Sequence, residues 1–291
     1  MCMFMTRKTE KRKPKHFDFI VKVKTSPDLE FMKTLNKKWK KEYERWRIKR
    51  KMLEKIVSKG TLIIGVRVKD GVVLASDRKI IRGGESEYED KIRVFNITSE
   101  GSPIIFAAAG YVGVTEDFLE FFQESLEENV RQGAISSIIS VKFLAEDILK
   151  DFEERYAPRL EEYPIEFIFG GLNQLDRGEA RLYIIGPRGY GERIRFFELI
   201  GHGSPYARTI AMHLLNREKL PSLSTEETSL RAYACIKWIA DGVDDYVGGD
   251  PQVIILKDND PTVVDANIEK GNCEKFVREI KEYLRNFALQ S

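Results

Sequence analysis

From Thr61 onward the chain sets its apolar residues out in groups: four runs of strand length, two helical stretches, three strands, two helices, one strand and a closing helix. "TLIIGVRV" and "GVVLASDR" flank "KDG", a hairpin signal. "DKIRVFNI" and "SPIIFAAAG" follow as two more strands. Helical spacing then predicts helices over roughly 113–131 and 135–156. "IEFIFGG", "EARLYIIG" and "IRFFELIG" read as three strands. Helices over roughly 205–216 and 225–242, the strand "PQVIILK" and a helix over about 268–288 complete the order. Strands that come in runs, with helices between the runs, predict sheets packed on each other and helices outside them. The expected class is α+β, a four-layer αββα sandwich. Such an arrangement buries a core within about 230 residues without dividing into two domains.

The first 60 residues are of another kind. They hold 20 Lys and Arg against 7 Asp and Glu, while the remainder holds 28 against 39. The chain is a basic arm (net +13) on an acidic body (net −11). Ser26 suits an N-cap and Pro27 the first helical position. Met32, Trp39, Trp46 and Leu53 recur every seven residues, with Leu35, Tyr43 and Ile56 beside them. This pattern predicts an amphipathic helix over about 27–58, ending before Gly60. Two tryptophans on a Lys/Arg-rich helix imply a docking face, either for its own domain or for another subunit. The expected division is an arm over 1–60 and a domain over 61–291.

Composition excludes several classes. No apolar run has the length of a membrane span, and the charged start does not read as a secretory signal. Cys2, Cys235 and Cys273 are few, odd in number and far apart, which argues against a disulfide framework or a zinc site. A cytoplasmic setting is expected. Basic charge alone suits nucleic acid, but no motif for it accompanies the arm, so nucleic acid is not an expected partner.

Five motifs in order carry a family resemblance. They are "KGTLIIGVRVKDGVVLASDR" (59–78), "AAAG" ending at Gly110, "FGGLN" (169–173), "IGHGSPYA" (200–207) and "DDYVGGDPQVIIL" (244–256). Together they resemble proteasome-type subunits of the N-terminal-nucleophile hydrolases, across nearly all of 60–258. In catalytic, β-type members a glycine precedes the nucleophilic threonine, and an aspartate follows the hairpin; Gly60, Thr61 and Asp77 match without a gap. The resemblance implies cleavage at Gly60–Thr61, after which Thr61 acts as nucleophile and its α-amine as base. A free α-amine titrates near about 7.7–8.0, so it can accept a proton at working pH. It also implies a lysine that stabilises developing negative charge, and an oxyanion site at the backbone N–H of Gly110. No metal or cofactor is implied.

The cation's position has two readings. Gap-free counting puts Arg93 there; a loop two residues shorter puts Lys91 there, and we favour Lys91. An arginine would supply charge without exchanging protons. The chain departs from the catalytic pattern at two further places. His202 stands where a serine is usual, with Ser204 matching the second serine, and an imidazole can also relay protons. Asp245 fits the aspartate that positions the amine, but Gly248 replaces the serine after it.

The front of the chain also resembles non-catalytic, α-type subunits, in which a helix runs unbroken into a "KGT" stretch and stays attached. The resemblance thus implies either a threonine peptidase made as a precursor or a structural, gating subunit that keeps its helix. A third reading is an amidase acting on a small amide. In the first two readings the partners are other copies or related subunits in a ring. An unfolded polypeptide is the peptidase's substrate, and an ATPase is a further candidate partner.

Overall fold

The computed structural model describes residues 61–290, apart from 83–84, 97–102, 111, 161–164, 174–177, 187–188 and 217. The expectations for residues 1–60, including the helix and Gly60, lie outside the described residues. Strands β1 (Ile63–Val68) and β2 (Gly71–Ser76) form the hairpin around "KD", with Ile63 opposite Ser76 and Val68 opposite Gly71. A short pair, β3 (Lys79–Arg82) and β4 (Glu85–Tyr88), follows. Next come β5 (Ile92–Asn96), β6 (Pro103–Ala109), helix α1 (Val112–Arg131) and helix α2 (Ile138–Leu160). Strands β7 (Glu166–Asn173), β8 (Glu179–Gly186), β9 (Tyr190–Ile194) and β10 (Phe197–Ile200) precede α3 (Ser204–Leu214) and α4 (Thr225–Ala240). The chain closes with β11 (Gln252–Lys257), β12 (Val263–Asp265) and α5 (Glu274–Gln290).

Two five-stranded sheets result, ordered β10-β1-β2-β11-β12 and β5-β6-β7-β8-β9. All their pairings are antiparallel. The alternation of side chains along each strand sorts residues into three cores. Ile64, Val66, Val73 and Ala75 pack with residues of α3, α4 and α5. Ile63, Val72 and Leu74, on the opposite face of the same strands, pack with Ile105, Ala107, Ile168 and Leu182 of the second sheet. Ile104, Phe106, Phe167 and Phe169 turn the other way and pack with α1 and α2. Phe106 stacks on Phe167 at 4.9 Å between centroids, and Phe118 of α1 lies 5.1 Å from Phe167. Strands buried on both faces read as continuous apolar runs, which is why they were legible. Glycine is needed where β2 meets β11: a Cβ on Gly71 would lie 2.4 Å from the carbonyl oxygen of Leu256.

The structure corrects the sequence reading in three places. "IRFFELIG" is not one strand. β9 pairs with β8 in the second sheet and β10 pairs with β1 in the first, so the chain changes sheets at Arg195–Phe196. The carbonyl of Phe196 accepts from the Arg67 amide at 2.7 Å, which fixes the crossing. The β3–β4 pair was not expected, because "ESEY" is exposed along its length and carries no apolar alternation. β12 was missed too, and α5 begins only after a short 3-10 turn at Lys270–Cys273.

Candidate active site

Thr61 lies two residues before β1, with Leu62 between them, and Asp77 immediately follows β2. The hairpin register brings these two ends together: the Asp77 amide donates to the Leu62 carbonyl at 3.1 Å, and the Leu62 amide donates to Asp77 Oδ1 at 2.9 Å. Asp77 is fully buried. Its second oxygen, Oδ2, accepts from the amides of Lys79 (3.2 Å) and Gly248 (3.1 Å). Each of these donors fixes the carboxylate, so it serves as a rigid anion for a cation.

That cation comes from the other sheet. Lys91 stands just before β5, and its Nζ donates to Asp77 Oδ1 at 2.7 Å and to Thr61 Oγ1 at 3.1 Å. Its side chain is only 7% exposed. Burial holds the Lys91 ammonium below the usual lysine value, against the opposing pull of Asp77. Gln252 of β11 sets the backbone beside it. Its Oε1 accepts from the Ile92 amide at 2.9 Å, and its Nε2 donates to the Ile92 carbonyl at 3.4 Å. Gln252 thereby ties the start of β5 to the first sheet. Arg93 is exposed and lines the same cavity as Thr61.

The "GHG" turn before α3 holds the Thr61 backbone. The Gly203 amide donates to the Thr61 carbonyl at 3.2 Å. A Cβ on Gly201, whose φ is 91°, would come 2.3 Å from that carbonyl oxygen, so only glycine admits the approach. Burial pushes the Glu166 carboxyl up, against a hydrogen bond from the Gly201 backbone. Ser204 opens α3, with its amide donating to the Gly201 carbonyl at 3.1 Å. His202 is exposed and pairs through Nδ1 with Asp244 Oδ2 at 2.8 Å.

Asp245, the residue to which the family resemblance pointed, is exposed; its backbone carbonyl accepts from Lys79 Nζ at 2.6 Å. The buried carboxylate of this loop is that of its neighbour Asp244, which also accepts from the Tyr246 amide at 2.9 Å. Gly248 meets Asp77 through its backbone, and a Cβ there would lie 2.9 Å from Lys79 Cδ. The lysine stem thus occupies the space that a serine side chain would need.

Beside Thr61 lies a cavity of about 70 Å³ whose walls include Lys91, Gly110, Ile80, Thr115 and Leu119. Gly110 forms the bend between β6 and α1; a Cβ there would sit 3.1 Å from Thr115 Oγ1 and 3.3 Å from Ile165 Cα. The structure therefore brings Thr61, Asp77 and Lys91 into one hydrogen-bonded cluster, with Gly110 on the adjoining cavity wall. Sequence reasoning missed Asp244, Gln252 and the pair of glycines on the Thr61 carbonyl. The "DD" at 244–245 and the polar Gln252 at the head of a buried strand were the available signals.

An ammonium held on a hydroxyl and a buried carboxylate, at the rim of a cavity, is an arrangement for activating a nucleophile. Comparison with known proteins gives this arrangement a family. A family model for the proteasome subunit matches residues 57–255, and the chain belongs to that family. It is 27% identical over 197 residues to proteasome subunit beta 1 of Ignicoccus hospitalis, spanning 68% of this chain and 90% of that one. It is also 25% identical over 232 residues to the proteasome subunit alpha of Methanococcus maripaludis, spanning 79% and 82%. Among solved structures, Anbu (ancestral beta-subunit) from Yersinia bercovieri superposes with a TM-score of 0.63 over 79% of this chain and 97% of that one. At 15% identity that likeness concerns the fold.

Proposed function

We propose that the chain is a threonine-type endopeptidase of the β kind, made as a precursor and activated by cleavage at Gly60–Thr61. The observation that carries this reading is the position of Lys91 Nζ, bonded at once to Thr61 Oγ1 and Asp77 Oδ1. Residues 1–60 are then a propeptide and 61–291 the working domain. The three successive cores support reading that domain as the αββα sandwich.

In this mechanism Thr61 Oγ1 first attacks the Gly60 carbonyl. The Gly60–Thr61 C–N bond breaks to leave residues 1–60 as an ester on Oγ1, and water hydrolyses that ester, releasing them as a carboxylate and freeing the Thr61 amine. The new N-terminal amine then serves as general base for later turnovers, taking the hydroxyl proton. Lys91 stabilises negative charge on the oxygen as the proton leaves. Asp77 keeps the ammonium charged and in place despite its burial. The Gly110 N–H receives the carbonyl oxygen of the substrate as it becomes an oxyanion; such a donor is worth roughly 100–1,000-fold in rate. The Gly203 bond on the Thr61 carbonyl holds the nucleophile's backbone still. Membership in the family supports a ring of related subunits, a cytoplasmic setting and an unfolded polypeptide substrate. Among the described residues no helix is long and apolar enough to cross a membrane.

A second reading, the α-type structural subunit that keeps its helix, is favoured by two observations. Alpha subunits are among the matching relatives, and Gly248 stands in the place of a serine. The test is turnover of a fluorogenic peptide by assembled particles, wild type beside Thr61→Ala. The peptidase reading expects turnover that the substitution abolishes. Equal turnover in both, or none in either, would overturn it.

A further inference from the structure

The β3–β4 pair, unexpected from sequence, puts Ile80 in the wall of the cavity beside Thr61 and holds two acidic residues of that wall through Arg82. Arg82, at the end of β3, donates through Nη1 to Glu87 Oε2 and Glu89 Oε1, each at 2.7 Å, and through Nη2 to Glu116 of α1. One guanidinium thus gathers three carboxylates from β4, the segment after it and α1. Two of the three, Glu89 and Glu116, line the cavity. The third acidic residue in its wall, Asp90, is tied to Arg78 at 3.1 Å. Ile80, Ala108, Val112 and Leu119 supply apolar wall, and Arg93 and Lys91 add cations.

We propose that Arg82 is a specificity-determining residue. By holding Glu89 and Glu116 in hydrogen bonds it offsets part of their charge and, with Arg93 on the same wall, lowers the site's pull on a cationic substrate side chain relative to an apolar one. Arg82 acts through the two glutamates and touches no reacting atom. Without it, three carboxylates lose their common cation, and two of them face the cavity. The wall would then attract a lysine or arginine side chain. The ion pairs are partly exposed, with Arg82 at 37% and Glu116 at 54%, so the effect is sensitive to salt.

This inference rests on the peptidase reading, and two assays separate their failures. The first compares kcat/KM for peptides ending in Leu or Lys before the scissile bond, in wild type and Arg82→Gln. We expect wild type to favour Leu and the variant to shift the Leu-to-Lys ratio roughly tenfold toward Lys, as for one nearby charge at partial exposure. The shift should shrink at high salt. Glu116→Gln should move the ratio the opposite way, and it serves also if Arg82→Gln fails to fold. The second assay measures binding of fluorescent Leu- and Lys-terminated peptides to full chains carrying Thr61→Ala, with and without Arg82→Gln. It judges the inference even if wild type cleaves nothing, an outcome that would count against the peptidase reading alone. A binding or kcat/KM ratio unchanged within twofold in both variants would overturn the role given to Arg82.

Discussion

Two clusters flank Thr61, and they are built differently. Asp77 and Lys91 are buried, and the Asp77 carboxylate is fixed by three backbone amides as well as by the lysine. His202 and Asp245, in the loops beside them, are exposed, while Asp244 is buried. In the first cluster each atom has its donor or acceptor chosen, so another residue type would leave a buried group unpaired. In the second, water can satisfy what the protein does not. This difference explains where the chain keeps the catalytic pattern and where it departs. It departs at the exposed His202 and keeps to it at Thr61 and Asp77; Gly248, which also departs, is buried but meets Asp77 through its backbone amide, which any residue type but proline carries.

Asp77→Asn should separate the two regions most sharply. It leaves the Lys91 charge buried without its carboxylate, a loss of about 3–5 kcal/mol in stability, and removes the anion that holds the ammonium on Thr61. Peptide turnover should fall by at least about 1,000-fold, more than the loss of a single fixed donor. Chemical unfolding and turnover assays would check both. A stable, active Asp77→Asn chain would mean that the buried cluster is no more demanding than the loops.

The pH dependence sharpens the same contrast. Burial lowers Lys91 from 10.5. Between that lowered value and 10.5 the unfolded chain binds more protons than the folded one, so this group's contribution to stability grows as pH rises through the window. It is lost as pH falls through the folded value. On the peptidase reading the sign for activity is opposite, because there the charged ammonium is the working form. The alkaline limb of kcat should therefore begin to fall below pH 10.5. A limb set only at or above that value, in a pH–rate profile, would contradict the buried-lysine account.

In the loops the expected effects are smaller and unequal. Asp244→Asn weakens the contact to His202 and should cost about 1–2 kcal/mol. Asp245→Asn should stay within about 0.5 kcal/mol, as for an exposed substitution. Thermal unfolding of the two variants would rank them; a larger effect at Asp245 would give back to it the positioning role that the family resemblance implies.

The same contrast governs what could be read from the sequence. Ile63, Val72, Leu74, Ile105 and Ile168 announced their strands because both faces are buried. The β3–β4 pair left no such trace, since Glu85–Tyr88 faces solvent throughout. Thr61 and Asp77 were legible through the family pattern, which they match without a gap. The choice between Lys91 and Arg93 was not, because it depends on which side chain the start of β5 turns toward Thr61. The Gln252 amide on Ile92, 160 positions away in sequence, sets that backbone. Local spacing carries no record of such a contact. Nor does it show the change of sheets at Arg195–Phe196, where no glycine, proline or other turn residue separates Ile194 from Phe197.

The central claim is that Thr61 becomes a free N-terminus. Its most direct test is the intact mass of the purified full chain after assembly and incubation, beside Thr61→Ala. The account predicts a wild-type product that begins at Thr61 and an uncut mutant. A wild-type chain that keeps residues 1–60 in assembled particles would contradict it, and the hydroxyl on Lys91 would then belong to a structural subunit.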